Sequence, residues 1–376
     1  MRVAVAGGGI AGLTAAIALA ERGFGVDVFE RASRFGEIGA GIQLSPNATA
    51  VLDKLGVLKG LGGRAFEPDA LVIRDAASGE VRSRLPLGTT LRQRYGAPYC
   101  TLSRADLQAG LLAAARRRSA IALHLGAEVG EVREAGGIVR FQVGPEERQA
   151  AFLVAADGMR SKIRTGYFAH PGPRPLQHAA WRAVLPKAAI PAAVDRREVG
   201  LWLGGGCHLV HYAISAPAEG EAGLNVVLIG PADAAAPRSS FGPAALCVID
   251  AVSEWKVSQL YDVEVPGTWA KGCVALVGDA AHAMAPSAAQ GGAQAIEDAW
   301  VLAAEVARAP SICAALARYQ QVRRRRVERV ARLAALNLHA YEFDGAAAML
   351  RNALLKALPA RLVQWRLDWL FGWRPQ

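Results

Sequence analysis

The stretch Arg2-Val3-Ala4-Val5-Ala6-Gly7-Gly8-Gly9-Ile10-Ala11-Gly12-Leu13 decides the fold. Residues 2–6 form a short apolar run that reads as a buried parallel strand. After the glycines, Ile10, Leu13, Ile17 and Ala20 share one helical face, and Gly23 and Gly25 end that pattern. Val26-Asp27-Val28-Phe29-Glu30 reads as a second strand, so the chain opens with a βαβ unit. Within it, Gly7-x-Gly9-x-x-Gly12 falls between strand and helix, and each glycine has its own task. The first permits a tight turn, the second lets backbone approach a pyrophosphate, and the third lets helix pack on strand. The helix N-terminus, through Ile10 and Ala11, offers phosphate its free N–H groups and the positive end of a dipole. Glu30, 18 residues after Gly12, is placed to accept hydrogen bonds from ribose hydroxyls. An acidic group there disfavours a 2′-phosphate, which points to FAD or NAD rather than NADP as the bound nucleotide.

Bulk properties narrow the class further. With 376 residues, 52% of them hydrophobic and 20% charged, the chain can bury a sizeable core and a cofactor. Disorder, collagen and a disulfide scaffold are excluded. The net charge is +10, and lysine supplies only seven of the 43 basic residues. That arginine bias, beside much alanine and glycine, fits a GC-rich genome better than a nucleic-acid surface, although a positive field suits anionic substrates. Arg116–Arg118 falls at a helix end, where cations complement the dipole. Arg323–Arg326 reads as a solvated helical face. Five scattered cysteines (Cys100, Cys207, Cys247, Cys273, Cys313) with no C-x-x-C pattern argue for a reducing compartment and against a metal site. No secretory leader and no long uncharged apolar run is evident, so a cytoplasmic location is expected.

Further along, a helix is expected over Arg104–Arg117 with Ser103 as its N-cap, then a strand meander across 121–155. From about 176 to 262, short apolar segments separated by Gly and Pro suggest an antiparallel sheet. Strand character returns at Cys273–Val277, a helix starts near Gly292, and the chain is mostly helical from 311. The expected fold is α/β: a Rossmann-like nucleotide-binding domain, an inserted mixed or antiparallel sheet domain, and a helical C-terminal region. The corresponding boundaries are 1–72, 97–175 and 262–310 for the first, 73–96 and 176–261 for the second, and 311–376 for the third.

Two more motifs choose among nucleotides. Leu153 to Ala156 is an apolar strand entering Asp157-Gly158, with Arg160, Ser161 and Arg164 at fixed offsets. Val274 to Val277 is another, entering Gly278-Asp279. Asp279 at a strand end is well placed to hold a ribityl or ribose hydroxyl. Gly291 and Gly292, ahead of a helix, can point N–H groups at a flavin's pyrimidine edge, where the helix dipole favours an anionic reduced ring. Together with Gly39–Asn47 and Ser103–Leu107, the set resembles the single-component FAD-dependent aromatic hydroxylases. It is most similar to their salicylate, 3-hydroxybenzoate and urate hydroxylase branch. The resemblance runs from Met1 to about Val330 and is diffuse only in the middle.

That resemblance implies FAD as cofactor, NADH or NADPH as a transient reductant without a domain of its own, and O2 and a small aromatic as partners. Nucleic acid and a transmembrane segment are not expected, and the protein would be a monomer or homodimer. The implied reaction hydroxylates a phenol-like ring through a flavin C4a-hydroperoxide, with the flavin carrying the difficult chemistry. Implied FAD contacts are Gly7, Gly9, Ile10, Ala11 and Gly12, Glu30 and Arg31 at the adenosine, Gln43, Arg104, the backbone near Val129, Asp157, and Asp279 at the ribityl chain. Ala289, Gln290, Gly291, Gly292 and Ala293 would run beside the ring.

For the substrate, His208-Leu209-Val210-His211-Tyr212 is the informative segment. On a strand, 208, 210 and 212 share one face and 209 and 211 the other, so one of the catalytic candidates His208 and His211 at most faces the flavin. The family register favours His208, and an ordinary imidazole is a suitable base for a phenol. Tyr212, Pro286 and Ser287 are candidate substrate contacts. Small side chains after Pro286 depart from the commoner family pattern and hint at a ring larger than salicylate. His282 reads as structural, and no residue set suggests a metal. The Trp365, Trp369 and Trp373 segment is expected to dock on protein rather than on a membrane surface. Two rival functions share the glycine loop: a flavin reductase or desaturase of isoprenoids, and a non-catalytic FAD-binding sensor.

Overall fold

The computed structural model describes residues 2–36, 41–215, 222–233, 236–265 and 267–376. Gly39 and Ala40, which begin one stretch carrying the family resemblance, lie outside the described residues.

The opening βαβ unit forms as expected. Strand Arg2–Ala6, helix Ile10–Ala20 and strand Gly25–Glu30 seed a six-stranded sheet. Arg2–Ala6 lies between Leu153–Ala155 and Gly25–Glu30, both parallel to it. Val274–Leu276 and Ile121–Leu125 extend the parallel sheet on either side. Because both faces carry helices, the strands are almost wholly apolar, and Val3, Val5, Val26, Val28, Val154 and Leu276 are fully buried. Helix Ile10–Ala20 packs against Arg104–Arg116 and against Gly291–Arg308. Ser103 caps its helix as expected, accepting from the Asp106 N–H at 2.9 Å.

The expected meander divides between two sheets. Val129–Ala135, Ile138–Val143 and Glu146–Ala150 form a separate antiparallel ribbon, while the flanking strands Ile121–Leu125 and Leu153–Ala155 join the parallel sheet. Leu153–Ala155 is buried inside the parallel sheet and Ile121–Leu125 is its partly exposed edge, whereas the ribbon alternates exposed and buried positions, as a strand wet on one face does.

A second large sheet has seven strands, crossing in space from Lys256–Asp262 through Arg174–Leu185, Ala222–Pro231, His208–Ser215, Glu198–Leu203 and Ala70–Asp75 to Val81–Pro86. Every pairing is antiparallel except that between Glu198–Leu203 and Ala70–Asp75. One face packs on helix Pro243–Asp250 through Trp181, Leu209, Val226 and Leu228. The other face looks toward the nucleotide-binding layer and makes the wall of the cavity described below.

Helices Ile312–Tyr341, Gly345–Ala357 and Ala360–Phe371 complete the chain. The reading of Arg323–Arg326 as a solvated face is wrong for two of its members. Arg323 is fully buried, donating to Asp298 at 2.7 Å and pairing with Glu297. Arg326 reaches Glu297 at 2.6 Å and the carbonyls of Trp369 and Leu370 at 2.7 and 2.8 Å. Four consecutive residues sample every side of a helix, so such a run always has an inward member. Arg118 behaves as expected, its guanidinium donating to the Ala114 carbonyl at 2.7 Å near its helix end. Docking of the C-terminal tryptophans holds too: Arg329 lies 3.8 Å from the Trp369 ring centroid and Arg326 stacks on Trp373, leaving Trp365 exposed. Among the described residues, no helix is long and apolar enough to cross a membrane.

Candidate active site

A cavity of about 670 Å³ separates the parallel-sheet layer from the seven-stranded sheet. Its floor is made by loops at the strand ends. Gly9, Ile10 and Ala11 border it, and Gly9 is the N-cap of a helix that no side chain caps. The first N–H groups of that helix are therefore free for an anion. Gln290, Gly291 and Gly292 border it at the start of the uncapped helix Gly291–Arg308. Two positive helix ends thus converge on one cavity. Asp279 is exposed at its edge, with Gln43 and Arg104 opposite.

The three fingerprint glycines separate by role. Gly7 has φ +103°, and a Cβ there would lie 2.3 Å from the Ala156 oxygen. A Cβ on Gly12 would lie 1.9 Å from the Gly7 oxygen, so this residue is the contact between helix and strand. A Cβ on Gly9 would meet nothing within 4 Å. Space left open at the one glycine expected to meet a pyrophosphate is what a bound dinucleotide requires. Glu30 orders the same loop, accepting from the Gly8 N–H at 2.7 Å and the Ala32 N–H at 2.9 Å. Asp157 Oδ1 is buried without a hydrogen-bond partner, and burial raises that carboxyl's pKa. An orphaned buried acceptor beside Ala156 and Gly158, which border the cavity, also suits a polar ligand. The residues present therefore fit FAD.

Not every expected contact borders the cavity. Gly7, Gly12 and Ala293 serve packing, and Ala293 is fully buried. Arg31 is exposed beyond Glu30, Val129 starts the antiparallel ribbon, and Asp157 sits one residue behind the cavity wall. Pro286, Ser287 and Ala289 do border it. The Ser287 hydroxyl, however, donates to the Ala334 carbonyl at 2.5 Å. Its proton is already used within the protein, so it can meet a substrate only as an acceptor.

Strand parity decides between the histidines. His208, Val210 and Tyr212 line the cavity, whereas His211 faces the opposite side of the sheet, 6.2 Å from the Trp202 ring. A catalytic role for His211 is overturned. Neither of its ring nitrogens has a partner, and burial pulls its pKa down to about 4. Replacing it with leucine removes two unpaired polar atoms. His211→Leu is expected to keep turnover within about twofold and to leave the melting temperature unchanged or higher, by thermal melt and initial rates.

Burial also pulls His208 down to about 3, so the imidazole is neutral rather than poised near its ordinary value. Its ring meets Tyr341 edge-on at 5.1 Å. Tyr212, Tyr99 and Gln43 form a polar corner, the Tyr99 hydroxyl donating to Gln43 at 2.8 Å, and burial keeps both phenols protonated. Arg182 lies on the cavity face beside Ser258, with its positive charge close to that of Arg104 and to the Tyr212 phenol. Sequence reasoning missed Arg182, although a lone charge inside Ala179-Ala180-Trp181-Arg182-Ala183-Val184 is a legible signal. It also missed Tyr99, Tyr341 and the C-terminal residues Val363, Leu367 and Phe371, for which no local signal exists. His282 is buried and held by Asp298 at 2.6 Å, and Asp298 also accepts from the Gly278 N–H at 2.9 Å, which fixes the turn into Asp279.

Comparison with known proteins agrees with this geometry. The family model described as an FAD binding domain matches residues 1–219 and 232–334. The 3-hydroxybenzoate 6-hydroxylase of Polaromonas naphthalenivorans (strain CJ2) is 34% identical over 389 residues, covering 99% of this chain and 96% of the relative. The 3-hydroxybenzoate 6-hydroxylase 1 of Aquipseudomonas alcaligenes is 33% identical, covering 98% and 97%. Among solved structures, Klebsiella pneumoniae HpxO complexed with FAD and uric acid superposes with a TM-score of 0.83 at 26% identity, covering 98% and 96%.

Proposed function

Because the chain belongs to the FAD-binding-domain family of single-component aromatic hydroxylases, we propose that its cavity hydroxylates a phenol-like aromatic or heteroaromatic ring lying against His208 and Tyr212. The chain is an FAD-dependent monooxygenase, and NADH or NADPH is its passing reductant. Bound FAD supplies the redox chemistry and the activation of O2. What remains for this chain is to bind, orient, exclude water and manage the substrate proton.

Free N–H groups at Gly9, Ile10 and Ala11 would hold the pyrophosphate, with Glu30 and Arg31 at the adenosine and the Val129 backbone near adenine. Gln43, Arg104, Asp157 and Asp279 would hold the ribityl side, and Ala289 to Gly292 the ring edge. The observation that carries the reading is a buried His208 sharing one cavity with two uncapped helix N-termini. Its imidazole can accept the phenolic hydrogen bond, and a phenolate forming beside it would offset the burial that disfavours the imidazolium. Apolar walls keep water from the reacting atoms.

A panel of phenols and N-heteroaromatics, scored for NAD(P)H oxidation together with hydroxylated product and peroxide, tests this. At least one phenol should raise both oxidation and product. His208→Gln should lower kcat/KM by about 10²–10⁴ while FAD stays bound. Free His208, neutral above its lowered pKa, should contribute no ionisation to kcat/KM between pH 5 and 8. A tight-FAD protein that no aromatic stimulates would sink the proposal.

The division into discontinuous FAD-binding, sheet and C-terminal regions is part of the same proposal, supported by the two large sheets. A cytoplasmic location is proposed from the free cysteines, and a monomer or homodimer from the family resemblance.

A further inference from the structure

The cavity is longer and more one-sided in polarity than a single small hydroxybenzoate needs. Rows of the seven-stranded sheet show this through their register. One row runs Arg182, Val227, Val210, Leu201 and Ile73, and its neighbour runs Tyr212, Val199, Leu71 and Leu85. All of these residues border the cavity. From the strand of Arg182 to that of Leu85 is five strand spacings, roughly 24 Å, whereas one aromatic ring covers roughly two.

Polarity changes along that length. Among the described residues, the cations bordering the cavity are Arg104 and Arg182, both near Tyr212 and the Gln43 strand. Toward the far end the wall is Leu71, Ile73 and Leu85, and the facing surface comes from the last helices through Leu355, Val363 and Leu367. Those helices are pinned there: Gln364 donates to the Pro86 carbonyl at 3.1 Å, Asn352 to Asp75 at 2.7 Å, and Arg326 holds the carbonyls of Trp369 and Leu370. Among the described residues, no cation borders this end to meet a carboxylate placed there.

We propose that the substrate is a phenol-like ring carrying an extended apolar substituent, its ring at His208 and Tyr212 and its substituent in the channel between Leu71, Ile73, Leu85 and the helix of Val363 and Leu367. This rests on the hydroxylase reading above and names the substrate class for the same site. The chain's small residues after Pro286 leave the ring end roomy, and the C-terminal helices give the tail its cover.

The test measures Kd from the change in flavin absorbance of the holoenzyme with phenol, 4-ethylphenol, 4-butylphenol and 4-heptylphenol, against 3-hydroxybenzoate. Kd should fall by about fourfold per added methylene until the channel is filled. 4-Heptylphenol should bind at least a hundredfold more tightly than 3-hydroxybenzoate. Val363→Trp should move the end of that fall to a shorter chain, and Leu85→Trp, acting from the sheet side, gives the same readout if the helix variant does not fold. A flat series, or a break point that neither tryptophan moves, overturns the channel. NAD(P)H oxidation stimulated by 3-hydroxybenzoate but by no alkylphenol overturns this inference and leaves the hydroxylase reading standing. A holoenzyme that no aromatic stimulates overturns both.

Discussion

Arg323→Ala is expected to destabilise the protein by about 3–5 kcal/mol, enough to remove much of a typical domain's stability. The guanidinium is fully buried and donates to Asp298 at 2.7 Å and to Gln294 Oε1 at 2.7 Å, while pairing with Glu297. Arg323 and Arg326 beside Glu297, and His282 and Arg323 beside Asp298, hold both carboxylates below their ordinary pKa although burial alone would raise them. In the native protein these two acids therefore contribute stability above pH ~4, and that contribution is lost as pH falls through their lowered folded values. The variant reverses the sign. Without Arg323, burial of the carboxylates is less opposed, their pKa values rise, and protonation relieves the folded state as pH falls. Urea unfolding at pH 7.5 and pH 5.5 should thus show a large deficit that narrows at the lower pH. A deficit under ~1 kcal/mol, or one indifferent to pH, would show that the cluster is not a cooperating unit.

That cluster also shows where sequence stops being informative. The glycine loop was readable because its demands are steric and local: a turn, a close approach and a helix contact at fixed spacing. Parity on Leu209 and His211 was equally readable, since a strand alternates faces whatever its partners. Arg323 was not, because its partners Glu297 and Asp298 lie on another helix, and four arginines in a row look alike until one side is covered. The remote cavity wall fails for the same reason. Val363 and Leu367 become channel residues only when the last helix packs on strand Val81–Pro86, a contact spanning most of the chain. Ser287 was legible as a cavity residue but not as a donor already engaged by Ala334.

Two alanine substitutions within the glycine fingerprint should have opposite consequences for the empty fold. Gly12→Ala puts a methyl 1.9 Å from the Gly7 oxygen, a backbone atom that cannot swing aside. Helix Ile10–Ala20 must then lift from strand Arg2–Ala6, and both lie in the main core. The cost should reach several kcal/mol, as overpacking a rigid contact does, and FAD should be lost along with the fold. Gly9→Ala is different. The residue has φ −77° and ψ −169°, extended backbone that alanine adopts freely, and its Cβ would meet nothing within 4 Å. The apoprotein should therefore melt within about 1 °C of the parent. FAD should nevertheless bind at least a hundredfold more weakly, roughly 2.7 kcal/mol, because the methyl occupies the space a pyrophosphate needs beside the helix N–H groups. Fluorescence titration of the apoproteins and their thermal melts separate the two cases. If Gly9→Ala keeps FAD affinity within threefold, the pyrophosphate does not lie at this helix end. If instead it melts like Gly12→Ala, the gap beside Gly9 is a feature of packing rather than a binding site.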